Sequence, residues 1–251
     1  MATAVDHLSA PAKPAPSLPG RRFDHLFFSG MALLLLGTVA VGFARTYYLA
    51  GVFRAPLPSP IIHIHGAAFS CWILLLVTQA SLVSAGRVDI HRRLGIAGFL
   101  LACLMVALGI LAGTNALVRG QDPGGSDPQF FYVIPITDML IFAMLIFFAF
   151  RARTNPSAHK RLILIATISL MIAAVARWPF AFVFHNPLVA TLLTYIFLLA
   201  LIAYDLWSTR KLHRATLWAG SFLIAAQQLR IPLGKTAAWH SFAAWVQHLA
   251  R

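Results

Sequence analysis

Five of the ten histidines in this 251-residue chain, His63, His65, His91, His159 and His185, fall at the ends of long apolar runs. Imidazole is a common axial ligand of haem iron and also suits zinc and copper. His63 and His65 open the run IIHIHGAAFSCWILLLVTQASLVSAG. On a helix they stand about 200° apart, so only one can point into a bundle. His65, in line with Phe69, Trp72, Leu76 and Gln79, is the inward candidate. His91 and His159 each open a returning run inside a basic turn, His91-Arg92-Arg93-Leu94 and His159-Lys160-Arg161-Leu162. A third turn, Arg210-Lys211-Leu212-His213-Arg214, repeats the pattern. Cations at a helix start oppose the helix dipole by a few tenths to ~1 kcal/mol each, so an anion should offset them. Lipid phosphate is one candidate; the carboxylates of a bound cofactor, such as haem propionates, are another.

A second polar group belongs to the opposite ends of the same runs: Asn115, Asp138, Arg177, His185 and Gln227. Asp138 sits well inside an apolar run, where a carboxylate costs roughly 2.5–3.5 kcal/mol to insert. A buried partner or a water-filled cavity is therefore expected. Arg177 is at a compatible depth, and the expected pair Asp138–Arg177 either locks two helices or lines a polar cavity for a small solute. Alternatively, His63, His65, Asp138 and His185 could hold zinc with an open position for a metal-bound water.

These residues need long helices to position them. Hydrophobic residues make up 59% of the chain and charged residues 11%, a balance foreign to soluble domains. The runs predict an all-α polytopic membrane bundle of seven spans, at about 26–48, 61–83, 94–117, 130–150, 162–184, 187–207 and from 215 on. Residues 1–20 read as a disordered tail, 21–235 as the transmembrane domain, and 236–251 as an amphipathic helix on the membrane surface. Gly109 and Gly113 are spaced for close helix contact. Cys71 and Cys103 both lie inside apolar runs, which argues against a disulfide framework.

The net charge of +13 points to lipid headgroups rather than nucleic acid. With the N-terminus inside and the C-terminus outside, thirteen of the twenty Lys and Arg fall in cytoplasmic segments. These are Lys13, Arg21, Arg22, Arg87, Arg92, Arg93, Arg151, Arg153, Lys160, Arg161, Arg210, Lys211 and Arg214, which obeys the positive-inside rule. A bacterial inner membrane is the expected location.

The pattern HxHGxxFxCW…Q…GRxxxHRRLG, followed by HKRL and RWP, resembles an uncharacterised family of bacterial multi-pass membrane proteins. That family implies no reaction. More loosely, histidines at both faces of a bundle resemble di-haem b-type membrane cytochromes and haem-A synthase-like proteins. That resemblance implies haem b and electron transfer, with His91 and His159 as one ligand pair and His65 and His185 as another. Arg92, Arg93, Lys160 and Arg161 would then face the propionates. Seven-helix zinc hydrolases of lipids are a third likeness, implying the zinc set above, although no HxxxH pair occurs in the last span. A carrier or structural protein without a cofactor is the remaining alternative.

Overall fold

A computed structural model describes residues 19–56, 59–121, 127–183 and 186–250. The expected tail falls mostly outside them, as does His185. Among the described residues the chain is entirely helical: α1 (Pro19–Phe43), continued by a wider turn over Ala44–Tyr48, α2 (Pro60–Ser84), α3 (Val88–Val118), α4 (Pro128–Arg151), α5 (Pro156–Ser169), α6 (Ile172–Val175), α7 (Pro187–Thr209), α8 (Arg214–Gly234) and α9 (Ala237–Leu249).

Helix starts are written in the sequence by one device. Ser59-Pro60, Asp127-Pro128, Asn155-Pro156 and Asn186-Pro187 each place a cap-type residue before a proline at the first helical position. Proline loses nothing there, since that N–H has no helical partner. Asp127 accepts from the N–H groups of Gln129 and Phe130, at 3.2 and 3.1 Å. Asn155 and Asn186 accept from Ala158 and Val189, each at 3.2 Å. α8 starts differently: the His213 imidazole accepts from the N–H of Ala215 at 3.1 Å.

Six helical stretches are long and apolar enough to cross a membrane: α1 with its wider turn, α2, α3, α4, α5 with α6, and α7. Their outward faces carry Leu33, Ile64, Leu74, Leu100, Phe147 and Leu199, each more than half exposed, as lipid contact requires. The chain is thus a multi-pass membrane helical protein. The expectation of seven spans is met by six. α8, at 21 residues, is about 31 Å long, but Gln227, Gln228 and Arg230 make it more polar.

The fifth span differs from the expected 162–184. It starts earlier, at Pro156, and its helix breaks at Leu170–Met171 before the short α6. This span is the central pillar. Two thirds of its most apolar window, 67%, is buried, against 17% for α2. α4 and α8 pack along it, with α1 and α7 also in contact.

Close approach is built in where expected. A Cβ on Gly109 would run into Met139, and one on Gly113 would press on Pro135, so α3 and α4 touch at these two residues. Elsewhere Trp72 on α2 reaches the core and donates to Thr167 Oγ1 on α5 at 3.2 Å.

α9 folds back over the end of the bundle. Trp239 and Val246 pack with Leu117, Tyr132 and Ala243, while Phe242, Trp245 and Leu249 stay exposed. This is an amphipathic helix with one face on α3 and α4.

Candidate functional site

At the end of the bundle carrying the basic turns, α5 presents His159, Lys160 and Arg161 within its first turns. Arg161, 2% exposed, donates through Nε and Nη2 to Asp205 Oδ1 at 2.9 and 2.5 Å. Its Nη1 donates to the carbonyl of Ser157 at 2.8 Å. Asp205, fully buried on α7, uses its other oxygen to accept from Thr216 Oγ1 at 2.6 Å and from the N–H of His213 at 3.2 Å. Lys160 Nζ lies 2.7 Å from Asp24 Oδ2, and the Tyr204 hydroxyl donates to the other oxygen at 2.5 Å.

Lys160 and Arg161, expected to meet lipid phosphate or propionates, have Asp24 and Asp205 of the same chain as their counter-charges. Arg92 and Arg93 are exposed, and among the described residues neither forms an ion pair. Burial, and then the nearby Arg161 cation, hold His213 below the usual imidazole pKa. A neutral ring is what its acceptor role at the start of α8 requires.

His91 and His159 do come together. Their ring centroids are 6.4 Å apart with planes at 84°. His159 Nδ1 donates to the Ala149 carbonyl at 2.8 Å, leaving Nε2 as its free nitrogen. Gln79 Nε2 donates to the His91 carbonyl at 3.3 Å, while His91 Nδ1 and Gln79 Oε1 are buried without partners. Two imidazoles collinear on one metal, at bonds of about 2.0–2.1 Å, put their centroids roughly 6.4 Å apart. Of the four expected propionate partners, Lys160 and Arg161 are paired with Asp24 and Asp205.

At the opposite end, the expected pair Asp138–Arg177 does not form. Asp138 Oδ1 instead accepts from Arg230 Nη1 of α8 at 2.6 Å, with the two residues 7% and 5% exposed. Arg177 donates to the Ala173 carbonyl at 2.6 Å and lies over the Phe43 ring at 5.0 Å. The reason is the early break of the fifth span, which ends its helix before Arg177 and leaves that residue beside α1. Arg230 was legible by the same reasoning that singled out Asp138, being a charge within a run of spanning length.

Gln227 stands one turn from Arg230 on the buried stripe Leu223, Gln227, Arg230, Gly234 of α8. It is 2% exposed, and neither its amide oxygen nor its nitrogen has a partner. Asn115 is half-buried near the end of α3, next to Thr114, whose hydroxyl is 2.9 Å from that of Tyr132.

Of the residues expected to hold zinc, His185 lies outside the described residues. His63 is exposed beside Tyr47, whose hydroxyl donates to its carbonyl at 3.0 Å. His65 is the inward one, with Nδ1 buried and its ring on Phe69, centroids 4.2 Å apart. Asp138 is held by Arg230. Among the described residues no group of three or more His, Cys, Asp or Glu could hold a metal ion.

α9 closes this end. His240 Nε2 lies 2.8 Å from Asp127 Oδ2, Trp239 Nε1 donates to the Gln129 carbonyl at 2.9 Å, and Gln247 donates to the Leu117 carbonyl at 3.0 Å. Compared with protein-family models, curated proteins and solved structures, the chain matches none, and the likenesses read from its motifs remain resemblances.

Proposed function

We propose that this is an inner-membrane carrier for a small polar solute, bound between α4 and α8 by Asp138, Arg230 and Gln227. One observation carries the reading: Gln227 is sealed from solvent with both amide atoms unpartnered, one turn from a buried ion pair. A buried amide without partners loses its hydration with nothing in return, a cost of roughly 1–3 kcal/mol by mutational measures. A polar ligand entering from water would supply the missing bonds. Ionisable residues at membrane depth mark solute and ion pathways. Interrupted helices in transporters do the same, and the α5–α6 break supports this reading.

Liposome swelling tests it. Vesicles carrying the protein should admit at least one of urea, glycerol, glycine or acetate faster than empty vesicles. Gln227→Leu should slow that entry about tenfold. Equal rates for all four solutes with and without protein would overturn the reading.

A second reading keeps a metal at the His91–His159 pair, supported by the 6.4 Å ring separation. Oxidised and reduced absorption spectra, with metal analysis of the purified protein, test it. A Soret band lost in both His91→Ala and His159→Ala indicates haem; one bound metal ion without that band indicates the bare site. The absence of both signals would overturn it.

A further inference from the structure

The Asp138–Arg230 pair is coordinated quite unlike the other buried pair. Asp205 has both oxygens saturated, by two donors from Arg161 and by Thr216 and His213. Among the described residues, Asp138 accepts one side-chain hydrogen bond, through Oδ1, and Arg230 donates one, through Nη1. Asp138 Oδ2 and the rest of the guanidinium fork thus retain capacity for further partners. Gln227 adds an unpartnered acceptor and two donors on the same face of α8.

We propose, resting on the carrier reading, that this site takes a small zwitterion, an amino-acid-like molecule bearing an ammonium and a carboxylate a few bonds apart. The site itself holds one negative and one positive side chain. A solute with a single charge can use the free capacity of only one of them and brings its own charge into a low-dielectric interior beside an already neutral pair, which is unfavourable. A zwitterion satisfies both: its ammonium meets Asp138, and its carboxylate meets the planar fork of Arg230. The Gln227 carbonyl accepts from the ammonium, and its amide N–H groups donate to the carboxylate. The solute must be small. One turn further along α8, Gly234 is packed so closely on Phe130 and Val133 that an added Cβ would sit 3.0 Å from each side chain, and α9 lies beyond.

The test compares glycine and β-alanine with acetate, methylammonium and urea at pH 7, on the full-length protein in liposomes and in lipid nanodiscs. After subtraction of the empty-vesicle rate, glycine and β-alanine should enter at least tenfold faster than acetate or methylammonium, and should raise the unfolding midpoint with concentration. Asp138→Asn leaves an unpaired guanidinium, so preference should pass to acetate. If that variant does not fold, Gln227→Leu should lower the zwitterion response at least tenfold. Protein-dependent entry of acetate, methylammonium or urea as fast as that of glycine would overturn the zwitterion assignment and leave the carrier standing. No probe entering above the empty-vesicle rate would overturn both.

Discussion

Arg161 and Asp205 meet at 2.5 Å across helices α5 and α7, with side chains 3% and 0% exposed. Every charged group in this cluster is answered by another of the same chain. The basic turn that opens α5 is thereby turned inward, fastening the central helix to α7 and, through Thr216 and the backbone of His213, to the start of α8.

Asp205→Asn should therefore be among the more damaging substitutions in the chain. It leaves the Arg161 cation buried without a counter-charge, a loss of about 3–5 kcal/mol. Thermal or denaturant unfolding in detergent measures it. Asp24→Asn, at the partly exposed Lys160 pair, should cost about 1 kcal/mol or less. Equal effects would contradict the distinction.

Asp138 and Arg230 should be energetically coupled, and Asp138 and Arg177 should not. Double-mutant cycles with Asp138→Ala and each arginine replaced by Ala are expected to give an interaction energy on the order of 1–3 kcal/mol for the first pair and near zero for the second. Coupling to Arg177 in place of Arg230 would refute the geometry.

The attachment of α9 should depend on pH. His240 has both ring nitrogens facing oxygen acceptors, Thr236 and Asp127, which only the imidazolium can serve with two donors. Its pKa is raised above the ordinary imidazole value of 6.5, by the Thr236 carbonyl and then Asp127. That contribution is present in full below about 6.5 and fades as pH rises through the raised value. Slight burial pushes the Asp127 carboxyl up, but the N–H groups of Gln129 and Phe130, with His240, hold it below 3.8. Its share is present above 3.8 and fades as pH falls through the lowered value. Protection of the α9 amides, their exchange rate relative to the intrinsic rate at each pH, should thus be greatest in mildly acidic solution and lower at pH 8. Asp127→Asn should flatten the alkaline change; an unchanged profile would show that the pair does not hold α9.

A reporter joined after Arg251 should be active only outside the cytoplasm if α8 crosses the membrane and the basic end faces inward. Cytoplasmic activity would mean that α8 stays on the side where it begins.

By itself the sequence determined the class of the protein, because apolar runs near bilayer length admit few structures other than helices. It also marked the inward face of α2 through His65, the close contact at Gly109 and Gly113, and the fact that Asp138 needs a partner. It carried the four proline starts and placed His91 and His159 at the same end of the bundle. Only the tertiary structure decided who pairs with whom. Seven aspartates and twenty basic residues allow many pairs at similar depth. Depth follows from counting along a helix, but lateral neighbours follow from how helices pack around one another. The break after Ser169 ends the fifth helix before Arg177, while α8 lies against α4 and carries Arg230 to Asp138. The same packing sets Lys160 beside Asp24 and Arg161 beside Asp205, so two cations legible as lipid or cofactor contacts became internal fastenings of the bundle.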